Sequence, residues 1–298
     1  MEARILKHYL EFGTYTNPGP YRDVIRRDLP DDIREIGLRV RSNLIHRTTL
    51  AAGNTGTNAD LKFGDMTKMP WYRQPEDDVL VTAAAMLAEL YRRDPRGLVM
   101  DRGVTDKLVV TCRFAAILTA SILKSKGIPT RVRSGNAGYW GNRDEPDDCS
   151  VDHWINQYWD TTQGRWVTID VDGSPHLTRI DPYDIPEGRF DLPAPAWLGI
   201  RAGRVDPQRF AYADGTRGAI VVVWSLFHDF HSLMNSEIIY VHRPVFGAQW
   251  RFPNLTSDEL ARIDDLARLM LDPDGNFDEL CSIWNMDREF RLLTGGLL

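Results

Sequence analysis

Residues 108–132 read LVVTCRFAAILTASILKSKGIPTRV, and the fold turns on their interpretation. Phe114, Ile117, Leu118 and Ile122 recur at the spacing of one helical face, so the stretch predicts a helix that buries one side. Thr111 offers an N-cap, Lys124 and Lys126 suit the negative end of the helix dipole, Gly127 falls at C′, and Pro129 prevents continuation. Residues 130–134 then alternate as a strand. Cys112 thus stands at the mouth of the helix. Free N–H groups and partial positive charge at that place favour a thiolate, and the same N–H groups can receive the oxyanion formed when sulfur attacks a carbonyl.

Such a nucleophile needs a base. After a polar loop at 135–150, two strands are predicted at 151–159 and 165–171, joined by a short hairpin connection at 160–164. The first strand carries His153, and the second ends in Asp170, with Asp172 two residues on. In an antiparallel pair, opposed residue numbers share a constant sum. A sum of 323 sets Asp170 opposite His153, and 325 sets Asp172 there; either odd value places both carboxylates on the histidine's face, and an even sum sends both to the other. Asp170 is the preferred partner, with Asp172 the competitor, since Asp172-Gly173 also reads as a turn.

A helix opened by Cys112, the turn SKGIPTRVRSG at 125–135, DHW at 152–154 and RWVTIDVD at 165–172 together resemble the transglutaminase-like superfamily of cysteine enzymes. The resemblance covers about residues 75–175. It implies a papain-like core, an α+β fold in which the cysteine helix packs on an antiparallel sheet. It also implies roles: Cys112 as nucleophile, His153 as general base and acid, Asp170 as the group that orients the imidazole. An upstream side chain helps to hold the oxyanion in such enzymes, which points to Trp71 or Gln74. The chain departs from the family pattern at Val110-Thr111-Cys112 in place of Gly-x-Cys, at His153-Trp154-Ile155 in place of His-Ala-Trp, and at Asp170-Val171 in place of Asp-Pro.

The flanks are read from pattern alone. A helix opened by Pro30-Asp31-Asp32 carries the stripe Ile33, Ile36, Val40, Leu44; residues 51–72 are an aperiodic loop; a helix is predicted at 76–92. A proline-rich connector at 182–195 leads to a mainly helical remainder, in which Thr256-Ser-Asp-Glu259 is a capping box. One domain over 1–298 is expected: a catalytic core at about 75–175, a helical N-terminal extension at 1–74 and a mainly helical extension at 180–298. His228 and His231 are read as incidental residues on a helix surface, and no metal or cofactor is expected. Arg131 and Arg133 are read as surface or salt-bridge residues.

Bulk properties bound the partners. The 298 residues are 43% hydrophobic and 26% charged, with a formal net charge of −6. That balance disfavours a nucleic-acid partner. No apolar run reaches the roughly 20 residues that span a bilayer, and the first residues lack the apolar core of a signal peptide. Three cysteines with no CxxC pair fit a cytoplasmic protein with reduced thiols. The expected function is attack on an amide or acyl bond of a peptide, protein or small amide through a thioester, as hydrolase or acyltransferase. The alternative is a non-catalytic peptide- or protein-binding module on the same fold. Oligomeric state is not legible.

Overall fold

The structure, a computed structural model, describes residues 1–47, 68–140, 149–172 and 180–294. It is a mixed α+β chain with two compact units that interleave in sequence. One comprises Leu6–Val132 and Ile155–Ile185, the other Met1–Ile5, Arg133–Trp154 and Pro186–Leu298. They are called here the Cys112 unit and the His153 unit. No described helix is long and apolar enough to cross a membrane. Residues 51–67 of the predicted loop and the acidic run 144–148 lie outside the described residues.

Helix α1 (Ala3–Leu10) enters the Cys112 unit at Leu6, and within that unit α2 (Arg22–Asp28) and α3 (Ile33–Ser42) precede strand β1 (Leu44–His46). Helix α4 (Ala83–Arg93) and strand β2 (Leu108–Val110) lead into α5 (Cys112–Ser125), the helix anticipated above. The chain continues through strands β3 (Thr130–Ala137), β4 (Ser150–Asp160) and β5 (Arg165–Ile169). Helices α2, α3 and α4 pack on α5, and the Asn156 amide on β4 donates to the Ala116 carbonyl at 3.0 Å.

Cover from both sides buries every residue of α5, not the single face that its periodicity predicts. Its charged side chains survive burial because each finds compensation. The Arg113 guanidinium lies 4.8 Å over the Tyr15 ring, and Lys124 Nζ donates to the Glu11 carbonyl at 2.8 Å.

Two boundaries differ from the sequence expectation. The helix predicted from residue 76 starts at Ala83, where the Thr82 hydroxyl caps the Ala85 N–H at 3.2 Å. Glu76 is taken up elsewhere: its carboxylate accepts from Arg73 and Arg93, each at 2.5 Å, and from the Val109 N–H at 2.8 Å. This buried ionic clamp outweighs the small propensity gain of another helical turn. Leu44 belongs to β1 rather than to the stripe of α3. The helix stops at Ser42 because the Asn43 amide donates to the Arg39 carbonyl at 2.6 Å and the Val99 carbonyl at 2.8 Å.

Strands β1 and β2 pair in parallel, with Leu44, Ile45 and His46 level with Leu108, Val109 and Val110. Strands β4 and β5 form the expected hairpin. Its turn is held by Asp160, which accepts from the Thr162 N–H at 2.8 Å and the Gln163 N–H at 3.1 Å, and by Gly164 at φ +64°. Pairing runs from Asp160↔Arg165 to Asn156↔Ile169, a constant sum of 325. It ends there because the next N–H, that of Asp170, donates to the Pro182 carbonyl at 2.7 Å.

The His153 unit is organised by one apolar helix. The distal half of β3 pairs with β6 (Phe190–Asp191), and the start of β4 pairs in parallel with β7 (Phe210–Ala211). The predicted connector therefore contains a strand, and helix α6 (Pro193–Arg201) begins inside it, since proline is tolerated in a first helical turn. Helix α7 (Ala219–Leu233) is buried along nearly its whole length. Its Asp229 binds the Arg133 guanidinium through two hydrogen bonds, at 2.8 and 2.7 Å. Strand β8 (Arg243–Pro244), helix α8 (Ser257–Leu269), helix α9 (Phe277–Met286) and strand β9 (Leu293–Thr294) complete the unit. The capping box at Thr256 and Glu259 forms with both reciprocal bonds present.

Candidate active site

Cys112 occupies the first helical position of α5 and is 8% exposed. Thr111 takes the N-cap place in extended conformation, yet its hydroxyl makes no capping bond and has no hydrogen-bond partner among the described residues. The helix mouth is therefore not quenched by its own cap residue. The Cys112 N–H donates instead to His46 Nε2 at 3.1 Å. The same ring nitrogen lies 3.5 Å from Asp172 Oδ2. Within the Cys112 unit, then, tertiary structure brings together Cys112, His46 and Asp172.

His46 is the residue that sequence reading missed. Its place follows from the parallel register: it is level with Val110, two residues before the cysteine. The only signal in the sequence is that Leu44-Ile45-His46 matches the short apolar run Leu108-Val109-Val110, and three residues do not distinguish a strand from the end of a helix.

Asp170 is 1% exposed and belongs to the Cys112 unit; His153 is 5% exposed and belongs to the other. The paired part of the hairpin keeps the sum of 325 and stops at Asn156. In its own unit His153 meets the Tyr139 ring edge-on, with centroids 6.5 Å apart. Beside it in sequence, Asp152 accepts from the Ala213 N–H at 2.8 Å, and burial pushes its carboxyl up to about 6. Trp71 is 81% exposed and lies against Tyr72, while Gln74 closes the 3₁₀ turn Trp71–Arg73.

The remaining candidates resolve structurally. His228 and His231 are buried in α7, not displayed on a helix surface. Each ring Nε2 is spent on a backbone carbonyl, that of His242 at 3.1 Å and that of Phe290 at 2.9 Å. Burial pushes His231 down to about 4. The helix that carries them is apolar nearly all round, which periodicity over a short window does not separate from a one-sided helix. Among the described residues no group of three or more His, Cys, Asp or Glu is placed to hold a metal ion. Arg217 reaches the Cys149 sulfur at 3.4 Å, and burial raises the Cys281 thiol above the ordinary range.

No family model matches the chain, and no curated protein matches it either. Among solved structures, a chain from Cytophaga hutchinsonii named as a candidate cysteine protease is similar at 13% identity and a TM-score of 0.35. The similarity covers 64% of this chain and 46% of that one, so the present chain spans less than half the length of its neighbour.

Proposed function

We propose that the protein is a cysteine enzyme on a papain-like, transglutaminase-like core, which cleaves or transfers an acyl group through a thioester on Cys112. The observation that carries this reading is the position of Cys112 at an N-terminus of α5 that Thr111 leaves uncapped. Dipole and N–H groups there favour sulfur anion and oxyanion alike. His153 and Asp170 are assigned the roles of base and orienting carboxylate on the sequence pattern, with Asp172 the competing carboxylate.

In this mechanism His153 accepts the Cys112 proton and the sulfur lone pair forms a bond to the acyl carbon. The C=O pair moves to oxygen and returns as the amide C–N bond breaks, and the departing amine takes the proton from His153. Water then resolves the thioester in a hydrolase, or a second amine does so in an acyltransferase.

Alkylation at neutral pH tests the nucleophile. Iodoacetamide should label Cys112 far faster than Cys149 or Cys281, because burial disfavours ionisation of Cys281 and the helix mouth favours it at Cys112. Equal, slow labelling would instead support the non-catalytic binding module. Ammonia release from a glutamine peptide, measured with and without a primary amine, separates hydrolysis from transfer.

A further inference from the structure

We propose that His46, steadied by Asp172, is the second donor of the oxyanion hole of Cys112; this rests on the cysteine-enzyme reading above. Register places the imidazole: His46 is level with Val110 across the parallel β1–β2 pair, so its ring reaches the first turn of α5. Its Nε2 is 3.1 Å from the Cys112 nitrogen and 3.5 Å from Asp172 Oδ2. The Cys112 N–H goes to His46.

One imidazole nitrogen cannot serve both neighbours in one state. With its proton on Nδ1 the ring accepts the Cys112 N–H bond, which is the arrangement of the resting site. With a proton on Nε2 it becomes a donor, a form that the Asp172 carboxylate beside that nitrogen stabilises once the Cys112 N–H bond is given up. An acyl oxygen that takes over the Cys112 N–H displaces the ring from that bond and, with Nε2 protonated, receives a second N–H from it. His46 thus covers the site when it is empty and completes it when the oxyanion forms. Asp172, 9% exposed, acts through His46 as a positioning residue.

The experiment uses two reagents that share the sulfur but differ in the oxyanion. With p-nitrophenyl acetate, the Cys112 sulfur lone pair forms the S–C bond and the carbonyl pair moves onto oxygen. Collapse restores C=O and expels p-nitrophenolate with its bonding pair, and water later hydrolyses the acetyl thioester. With iodoacetamide, sulfur displaces iodide directly and no oxyanion arises.

His46→Ala in the full chain should slow acylation roughly 100- to 1,000-fold, the usual cost of one lost donor. Its iodoacetamide rate at Cys112 should stay within about threefold of the parent, since thiolate character is supplied by the helix. His46→Gln, which keeps a side-chain N–H, should recover acylation to within about tenfold. A parallel fall of both rates in both variants would show that His46 is the thiol's base or a purely structural residue, and would overturn the proposal. Unchanged acylation would overturn it as well. Acylation that persists in Cys112→Ala would locate the failure in the cysteine reading itself rather than in His46.

Discussion

Asp229→Ala offers the sharpest test of the His153 unit. Asp229 is fully buried, and its carboxylate accepts from Arg133 Nε at 2.8 Å, from Arg133 Nη2 at 2.7 Å and from the Ser134 N–H at 3.0 Å. The Arg133 side chain is itself only 3% exposed. Truncation strands a guanidinium in the interior without this carboxylate, and breaking a buried pair from one side costs about 3–5 kcal/mol. At about 1.4 kcal/mol per tenfold, the folded-to-unfolded ratio should fall roughly 100- to 4,000-fold. A urea titration followed by tryptophan fluorescence should show a midpoint lower by about 1–2 M, for a slope near the upper end of the usual range. Removing both charges, in Arg133→Met with Asp229→Leu, should recover most of the loss, because the desolvation cost of the pair disappears with it. A single variant that loses less than about 1 kcal/mol, or a double variant worse than the two singles combined, would refute the reasoning.

Three further outcomes are expected. Thr256→Ala removes the capping box of α8 and should lower stability by about 0.5–2 kcal/mol, read by thermal unfolding, whereas Thr256→Ser should not. His231 is held neutral by burial, with its folded value near 4 against 6.5 when unfolded, so the unfolded chain binds more protons between these limits. Stability from this residue is whole above about pH 6.5 and is lost as pH falls toward 4, by roughly 3 kcal/mol in total, and His231→Asn should flatten that limb of an acid titration. Asp152 works in the opposite sense: its carboxyl is raised to about 6, so Asp152→Asn should raise stability at neutral pH and leave it unchanged below pH 4.

What was legible in the sequence shared one property, dependence on neighbours within a turn or two. The helix at Cys112, its stop at Gly127, the hairpin turn at Asp160–Gly164 and the cap at Thr256 each follow from a few adjacent residues. The register of the hairpin does not: an even sum is as open to the sequence as the odd 325 that forms. Where a distant partner competed, local reading failed. Pattern puts Glu76 in a helix that it leaves in order to bridge Arg73 and Arg93, and puts His228 and His231 on a surface that α7 does not have.

The sequence by itself determined that a cysteine opens a helix, because caps, dipole and periodicity act over single turns. It also marked His153 and Asp170 as the residues to examine, through an ordered pattern of short motifs. Only the tertiary structure decided what the Cys112 N–H touches. His46 reaches it across a parallel strand pair whose two members are separated by more than sixty positions. Contacts of that kind are fixed by register and by burial of the whole helix, and no stretch of chain near either residue carries the information.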